Sequence, residues 1–230
     1  MALKKKVKKK SGFSIWIFYG TIGIIAICTV VLIIIGHSQS SKVAGAVTFN
    51  YNDEPYLGKK GAPVKIVEFG DYKCPICKNF NDATFPAIDQ DLIQTGKATF
   101  YFMNDPFINK DSTRAALFAE TVYNELGNKL FWKFHDLLYS KQPADSKYEQ
   151  IDLYSESFLE KTLSEITSPT NVNKVVQAFK TNKFKSALDK DTAYVNQLSI
   201  QGTPTFFVNG KEFTGNSYQE LVDQVDQLAK

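Results

Sequence analysis

The order of apolar and polar positions predicts a strand, a helix and a second strand early in the globular part of the chain. Residues 64–69 (VKIVEF) have the β-branched content of a strand, and residues 98–103 have a similar composition. Between them, apolar residues recur at helical spacing over residues 75–94, and Pro86 is expected to kink this helix. Strand, helix and strand within about forty residues are typical of a βαβ unit, with parallel strands and a right-handed crossover.

The next stretch changes to helical spacing, and the C-terminal part returns to strands. Apolar residues recur every three or four positions in five segments, at residues 111–126, 130–139, 155–166, 173–180 and 185–198. Two short strands then flank Asn209-Gly210, a pair that supplies the positive φ angles of a type I′ hairpin turn. An amphipathic helix at residues 217–228 completes an α/β fold with a helical subdomain inserted between its halves.

An uncharged apolar run of 23 residues occupies positions 13–35. As a helix it would be roughly 34 Å long, enough to cross the hydrocarbon core of a bilayer. Six lysines fall within the first ten residues, and the positive-inside tendency places that end in the cytoplasm and the rest outside. The alternative is a cleaved signal peptide, whose apolar region is usually only about 7–15 residues long. We expect an uncleaved single-pass anchor in the cell membrane, and both interpretations export the remainder.

These boundaries divide the chain into six parts. They are a cytoplasmic basic tail (1–12), a transmembrane anchor (13–35), a stalk (36–58), the first half of the α/β fold (59–107), a helical insertion (108–183) and the second half of the α/β fold (184–230). The stalk also contains a candidate edge strand near residues 47–51. The chemistry is therefore expected in the extracytoplasmic part.

Charge and cysteine content narrow the class of protein. The net charge is +3, but without the six N-terminal lysines 21 basic residues stand against 24 acidic ones. Binding of nucleic acid needs a basic patch on a folded face, so we expect no nucleic-acid partner. Three cysteines are too few for a disulfide-rich scaffold, and one of them, Cys28, lies inside the apolar run.

The exported part contains one cysteine pair, Cys74 and Cys77, separated by Pro75 and Ile76. An oxidising compartment permits a disulfide, but a bridge over so short a loop restrains the unfolded chain very little. At the first turn of a helix, free N–H groups and the helix dipole favour a thiolate at Cys74, and Lys73 is a candidate for adding to this effect, although such a lysine is more often solvated. Cys74 would attack, and Cys77 would resolve the mixed disulfide with a substrate.

Two other uses of the pair remain open from the residues alone. The cysteines could form a purely structural bridge, or they could be half of a zinc site. Zinc in structural sites takes four ligands, and this chain offers no second cysteine pair. His37 and His135 would need help from carboxylates, so zinc is the weaker alternative.

The segment VEFGDYKCPIC, followed far downstream by GTPTFFVNG, resembles the thioredoxin superfamily. Together with the helical insertion, it resembles the DsbA family of thiol-disulfide oxidoreductases. The anchored form, the lysine-rich N-terminus and the GDYKCP motif are most similar to the BdbD-type oxidases of Gram-positive bacteria. The resemblance covers about residues 55–230 and implies a thioredoxin-like fold with an inserted helical subdomain.

The resemblance also implies roles for individual residues. Cys74 matches the solvent-accessible attacking cysteine, and Cys77 matches the resolving one. Thr203-Pro204 matches a cis-proline segment that lies beside the disulfide and presents its backbone to the substrate, although Pro204 could also be an ordinary proline at the start of a strand. Glu68 matches a buried acid that assists proton transfer at the resolving cysteine, with an outward-facing strand residue as the alternative.

The chain departs from the pattern of Gram-negative DsbA between the cysteines. Pro75-Ile76 lacks the histidine common there, which removes one donor to the thiolate. Relatives of this type have been associated with bound metal, but Glu120 and Asp191 lie too far apart in the sequence to define a site. We predict no metal and no bound cofactor.

Three functions follow as hypotheses. The first is an exported oxidase that donates its disulfide to reduced secreted or cell-surface proteins, and the resemblance implies reoxidation by a quinone-linked membrane partner of the DsbB/BdbC type. The second is a disulfide reductase or isomerase on the same face of the membrane. The third is a surface-displayed binding module in which the disulfide is only structural.

Overall fold

The computed structural model describes residues 45–143 and 145–230. The predicted basic tail and transmembrane anchor, together with the first part of the predicted stalk, lie outside the described residues. Among the residues that are described, no helix combines the length and the apolar character needed to cross a membrane.

A five-stranded mixed sheet in the order β1-β3-β2-β4-β5 organises the fold. Its strands are β1 (Tyr56–Leu57), β2 (Val64–Gly70), β3 (Ala98–Asn104), β4 (Thr205–Val208) and β5 (Lys211–Glu212). The central strand β2 pairs parallel with β3, which confirms the predicted βαβ unit, and antiparallel with β4. The β4–β5 hairpin turns at Asn209 and Gly210, whose φ angles of +47° and +77° confirm the predicted turn.

The helix after β2, α1, occupies residues 75–93 and changes its hydrogen bonding along its length. Its α-helical and π-helical segments alternate as Pro75–Asn79 (α), Phe80–Thr84 (π), Phe85–Ile88 (α) and Asp89–Ile93 (π). Pro86 lies near the start of the third segment and supplies no N–H group to the helix. At the position of the kink predicted at Pro86, the helix thus has a π-helical segment before and after the short α-helical segment that contains this proline.

In the described part of the chain, five α-helices lie between β3 and β4, and one more follows β5. They are α2 (Lys110–Leu126), α3 (Asn128–Ser140), α4 (Glu156–Ser164), α5 (Pro169–Lys180), α6 (Lys185–Leu198) and α7 (Tyr218–Leu228). A short 3₁₀ helix at Ser146–Gln150 lies between α3 and α4. The thioredoxin-like α/β fold with a helical insertion is therefore confirmed.

Two hydrophobic cores cover the two faces of the sheet. Because side chains alternate along a strand, Val64 and Ile66 of β2 point to one face and Val67 and Phe69 to the other. The first face packs against α1, α7 and the helices α2–α5 of the insertion. The second face packs against α6 and the segment before β1. The central strand consequently has no face exposed to solvent.

The segment before β1 is part of the folded unit, in contrast to the predicted stalk of residues 36–58. Phe49 is 3% exposed and packs against the second face of the sheet. The Val47 N–H donates to the Gly210 carbonyl at 2.8 Å, and a Cβ at Gly210 would lie 2.0 Å from the Val47 oxygen. The strand expected near residues 47–51 does not form, because this segment is held by side-chain packing and not by a hydrogen-bonded ladder.

Candidate active site

Cys74 is the N-cap residue of α1, with Pro75 at the first helical position. The backbone N–H of Cys77 donates to the Cys74 sulfur at 3.3 Å, so the sulfur itself caps the helix. Both cysteines are free thiols in this structure. Cys74 is 4% exposed and Cys77 0%. The predicted accessibility of Cys74 therefore holds only in comparison with Cys77, because the surrounding loops cover most of its surface.

The loop that precedes β4 lies directly against Cys74. The Thr203–Pro204 peptide bond is cis, as the family resemblance implied. The Cys74 thiol donates to the Thr203 carbonyl at 3.3 Å. The backbone beside the proline thus reaches the sulfur that a substrate would attack, although contact with a substrate stays a prediction.

The two sulfurs ionise very differently. The pKa of Cys74 is lowered to about 6 because hydrogen bonds from the Cys77 and Thr203 side chains and from the N–H groups of Cys77 and Ile76 stabilise its thiolate, against the opposing effect of burial. Burial raises the pKa of Cys77 well above its ordinary value, and the hydrogen bond to Cys74 and the charge of Glu68 act in the same direction. Cys74 is therefore the sulfur that ionises first, and its thiolate forms near neutral pH.

Glu68 lies in the middle of β2, opposite Phe102 of β3 and Phe206 of β4. It is 3% exposed and shares the face of β2 that packs on α1, so the alternative of an outward-facing residue is wrong. Burial, followed by the charge of Cys74, raises the pKa of Glu68 to about 8. Gly70 follows on the same face of β2, where a Cβ atom would lie 2.6 Å from the Phe102 ring, so the close packing of this ring favours glycine at position 70. A role for Glu68 in proton transfer stays a prediction.

Lys73 is fully buried, contrary to the expectation of a solvated lysine. Its ammonium group binds the Asp111 carboxylate at 3.0 Å, at the start of α2. The sequence does not reveal this partner, because 38 residues separate the two positions. The cation next to Cys74 is therefore neutralised by a carboxylate of the insertion.

An apolar groove of about 630 Å³ lies next to the active-site helix, and Ile76, Thr203 and Pro204 are among the residues that line it. Ile76, 63% exposed, forms part of its wall. Sequence reasoning missed most of the other apolar lining residues, which come from separate segments, namely Phe80, Ile88, Phe206, Phe213 and Leu221. Their helical or strand periodicity made them indistinguishable from core residues, since only the tertiary fold opens a groove between them.

Three buried carboxylates, Glu54, Glu120 and Asp191, form a second cluster, with oxygens within 4.8 Å of one another. This corrects the expectation that Glu120 and Asp191 are too scattered, since α2 and α6 bring them together around Asn104. Burial raises the pKa of all three groups. Carboxylate and amide oxygens suit a hard cation such as Ca²⁺ or Mg²⁺, so these residues could hold one. Among the described residues this is the only such group, and it contains neither cysteine, which disfavours the zinc alternative.

The hydroxyl of Thr203 provides a direct test of the thiolate environment. Its oxygen is buried and has no competing hydrogen-bond partner among the described groups, so it is free to donate to the Cys74 thiolate. Thr203→Val is expected to raise the pKa of Cys74 by about one unit, because a hydrogen bond to a charged group is lost. The pH dependence of alkylation measures this shift. Thr203→Ser keeps the hydroxyl and should titrate like the wild type, and a Val variant that does so as well would contradict the assignment.

The α/β fold, the sulfur-capped helix and the neighbouring cis-proline loop together define the class of protein as a thioredoxin-like thiol-disulfide oxidoreductase. A family model described as Thioredoxin matches residues 50–227. Disulfide bond formation protein D of Bacillus subtilis (strain 168) is 38% identical over 181 residues, covering 77% of this chain and 78% of that protein. The probable disulfide bond formation protein D of Bacillus anthracis is 32% identical over 207 residues, covering 90% and 91%.

The solved structures agree with these relatives. The crystal structure of oxidised BdbD from Bacillus subtilis matches with a TM-score of 0.72 at 34% identity, covering 80% of this chain and 97% of that one. The chain belongs to the DsbA family of thiol-disulfide oxidoreductases, within the thioredoxin superfamily. The family resemblance and the enzyme class are confirmed, and the hypothesis of a binding module with a purely structural disulfide is set aside.

Proposed function

We propose that this protein is an extracytoplasmic oxidase that donates its Cys74–Cys77 disulfide to reduced secreted or cell-surface proteins. The observation that carries the proposal is the unequal ionisation of the two sulfurs, with the pKa of Cys74 lowered to about 6 and that of Cys77 raised. Stabilising the Cys74 thiolate favours the reduced form of the pair. A disulfide whose reduced form is stabilised is a stronger oxidant.

The exchange proceeds through a mixed disulfide in two balanced steps. A client thiolate attacks the Cys74 sulfur, the Cys74–Cys77 bond breaks, and Cys77 leaves with the electron pair and takes a proton. A second client thiolate then attacks the client sulfur, and Cys74 leaves as a thiolate. The client loses two electrons and gains a disulfide, while the pair is reduced. Attack of Cys77 on the mixed disulfide displaces the client from Cys74, which is the resolving step predicted from the sequence. In the reducing direction this attack completes the exchange. In the oxidising direction it reverses the exchange.

Glu68 is the candidate proton carrier for Cys77 in this scheme. Burial is the larger cause of the raised pKa of Glu68 and also acts in the disulfide form, so Glu68 can hold a proton and supply it when Cys77 leaves. Cys77 itself is fully buried, and its distance from bulk water makes an internal donor useful. The same group takes the proton back when the disulfide is restored.

The N-terminal sequence supports the proposed location, and the family resemblance implies the reoxidising partner. Six lysines, followed by a run of 23 uncharged and largely apolar residues, favour a single-pass anchor with the catalytic part outside the cytoplasm. A continuing supply of disulfides requires an electron acceptor for the reduced pair. A membrane oxidoreductase of the DsbB/BdbC type, linked to quinone, would serve this role, and the chain itself would need no bound cofactor.

A redox titration against glutathione tests the direction of electron flow. We expect a reduction potential well above the about −270 mV of thioredoxin, towards the about −120 mV of DsbA. The full chain in detergent, carrying Cys28→Ser, restricts the titration to Cys74 and Cys77. A potential close to that of thioredoxin would overturn the oxidase proposal and favour the reductase or isomerase.

A further inference from the structure

The active-site loop is held by side chains from the helical insertion. Every backbone carbonyl from residue 71 to residue 74 accepts a hydrogen bond from such a side chain. The donors are Tyr139 Oη to Asp71 (3.3 Å), Tyr154 Oη and Gln142 Nε2 to Tyr72 (2.8 and 2.9 Å), Tyr148 Oη to Lys73, and Gln142 Nε2 to Cys74 (3.2 Å). Four consecutive peptide groups are thus fixed from outside the thioredoxin-like part.

The side chain of Lys73, in the loop, donates hydrogen bonds to groups of the helical insertion. Its ammonium group donates to Asp111 Oδ2 at 3.0 Å, to the Tyr148 carbonyl at 2.8 Å and to the Ile151 carbonyl at 2.6 Å. An ammonium group has three N–H donors, so all of them are used. The segment that carries Tyr148 and Tyr154 is consequently tied to Lys73, whose own carbonyl accepts from Tyr148 and whose neighbour Tyr72 accepts from Tyr154.

Asp111 completes this arrangement. Its Oδ2 atom also accepts from the N–H groups of Leu153 at 2.8 Å and Tyr154 at 3.0 Å. Lys73 and Asp111 are both 0% exposed, so their charges cancel within the protein. We call the Lys73–Asp111 pair, with Tyr139, Gln142, Tyr148 and Tyr154, the loop clasp.

Gln142 acts closest to the reacting sulfur. One amide group binds the carbonyls of Tyr72 and Cys74, and it therefore fixes peptide groups on both sides of Lys73 and up to the N-cap. Its own oxygen is buried and has no partner among the residues that the structure describes, so only its donor function is used. The Cys74 carbonyl also accepts from Lys78 N at 3.1 Å within the first turn of α1. The orientation of this turn decides whether the Cys77 N–H points at the Cys74 sulfur.

We propose that the loop clasp positions Cys74 for disulfide exchange, with Gln142 as its principal positioning residue and the Lys73–Asp111 pair as its anchor. The inference rests on exchange at Cys74 and is independent of the direction of electron flow. It gives the helical insertion a part in the chemistry besides its packing. Lys73 acts through the geometry of the loop and not through its charge.

The effects of charge and geometry can be separated with four variants. Gln142→Met removes the donor while keeping the size and the net charge. Lys73→Met and Asp111→Asn change the charge by one unit in opposite directions. Lys78→Met is the matched control, because Lys78 is also close to Cys74 in the sequence but pairs with Asp82 at the surface.

The readouts are the pH dependence of Cys74 alkylation and the redox equilibrium with glutathione, measured on the full chain with Cys28→Ser. We expect Gln142→Met, Lys73→Met and Asp111→Asn all to slow alkylation, by about tenfold at a pH below the wild-type pKa, because all three loosen the N-cap. All three should also shift the equilibrium towards the disulfide. Lys78→Met should behave like the wild type.

Opposite shifts for Lys73→Met and Asp111→Asn would overturn the proposal, since they would show that charge at Lys73 controls the sulfur. Wild-type alkylation in a folded Gln142→Met chain would overturn it as well. Should Gln142→Met not fold, Tyr148→Phe replaces it, because it removes only the hydroxyl on the Lys73 carbonyl. A smaller change in the same direction supports the proposal, and unchanged alkylation of Tyr148→Phe overturns it.

Discussion

Cys77→Ser is expected to leave the protein linked to its client through a persistent disulfide at Cys74. The Cys74 thiolate still attacks a client disulfide, but no neighbouring thiol remains to release it. Because the missing step is intramolecular, its loss should slow release by at least about a thousandfold. Non-reducing electrophoresis after mixing with a disulfide-bonded client peptide measures the adduct, with Cys28→Ser as the common background.

Cys74→Ser is the matched control for this trap. Cys77 is 0% exposed and its pKa is raised, so this variant should form almost no adduct. Comparable adducts in both variants would contradict the assignment of Cys74 as the attacking sulfur. In cells that produce the Cys77→Ser chain, the trapped clients should be exported proteins, and a set of cytoplasmic clients would contradict the proposed location.

Glu68→Gln is expected to slow the reduction of the disulfide by a client, by up to about a hundredfold near neutral pH, the lower end of the range for general acid–base catalysis. The variant cannot supply a proton to the departing Cys77. The difference from the wild type should narrow as the pH rises through the raised pKa of Glu68, because the wild-type residue then loses its proton as well. Mixing the oxidised chain with a reduced peptide and quenching the reaction at short times measures the rate at which the Cys74–Cys77 disulfide is reduced.

Glu120→Gln offers the same chemical change at another fully buried carboxyl. It should leave the exchange rate unchanged, since Glu120 belongs to the carboxylate cluster around Asn104. Equal slowing by both variants, or slowing by Glu68→Gln that is independent of pH, would show that Glu68 acts only through stability.

The same glutamate predicts a pH-dependent stability. The pKa of Glu68 is about 8 in the folded protein, above its ordinary value of 4.5. Between pH 4.5 and pH 8, the folded protein therefore holds a proton on Glu68 that the unfolded chain has already lost. The stabilising contribution is therefore complete below pH 4.5 and disappears as pH rises through 8. Over this window the unfolding free energy of the wild type should fall by about 1.4 kcal/mol per pH unit relative to Glu68→Gln. Urea unfolding of the reduced chains, the form to which this pKa belongs, tests this difference, and parallel curves would contradict it.

Local patterns predicted the α/β order, the βαβ unit and the hairpin, because each depends on neighbouring residues. The Asn209-Gly210 turn requires only two residues with positive φ angles. The stabilisation of a thiolate at a helix N-terminus requires only the N–H groups of that helix. The prediction that the stalk extends to residue 58 was wrong, because the packing of this segment depends on residues far away in the sequence. Phe49 is buried by parts of the sheet and α6 that are remote in the sequence.

By itself, the sequence predicted thiol-disulfide exchange, because a CxxC pair at the N-terminus of a helix carries its own electrostatics and its own resolving thiol, but it left a structural bridge and a zinc site as alternatives. Tertiary structure alone decided the environment of that pair. It buried Glu68 between two strands, pointed Lys73 at Asp111 and brought Gln142 to the Cys74 carbonyl. Such contacts join positions tens of residues apart, and no local periodicity encodes which distant side chain will complete a hydrogen bond.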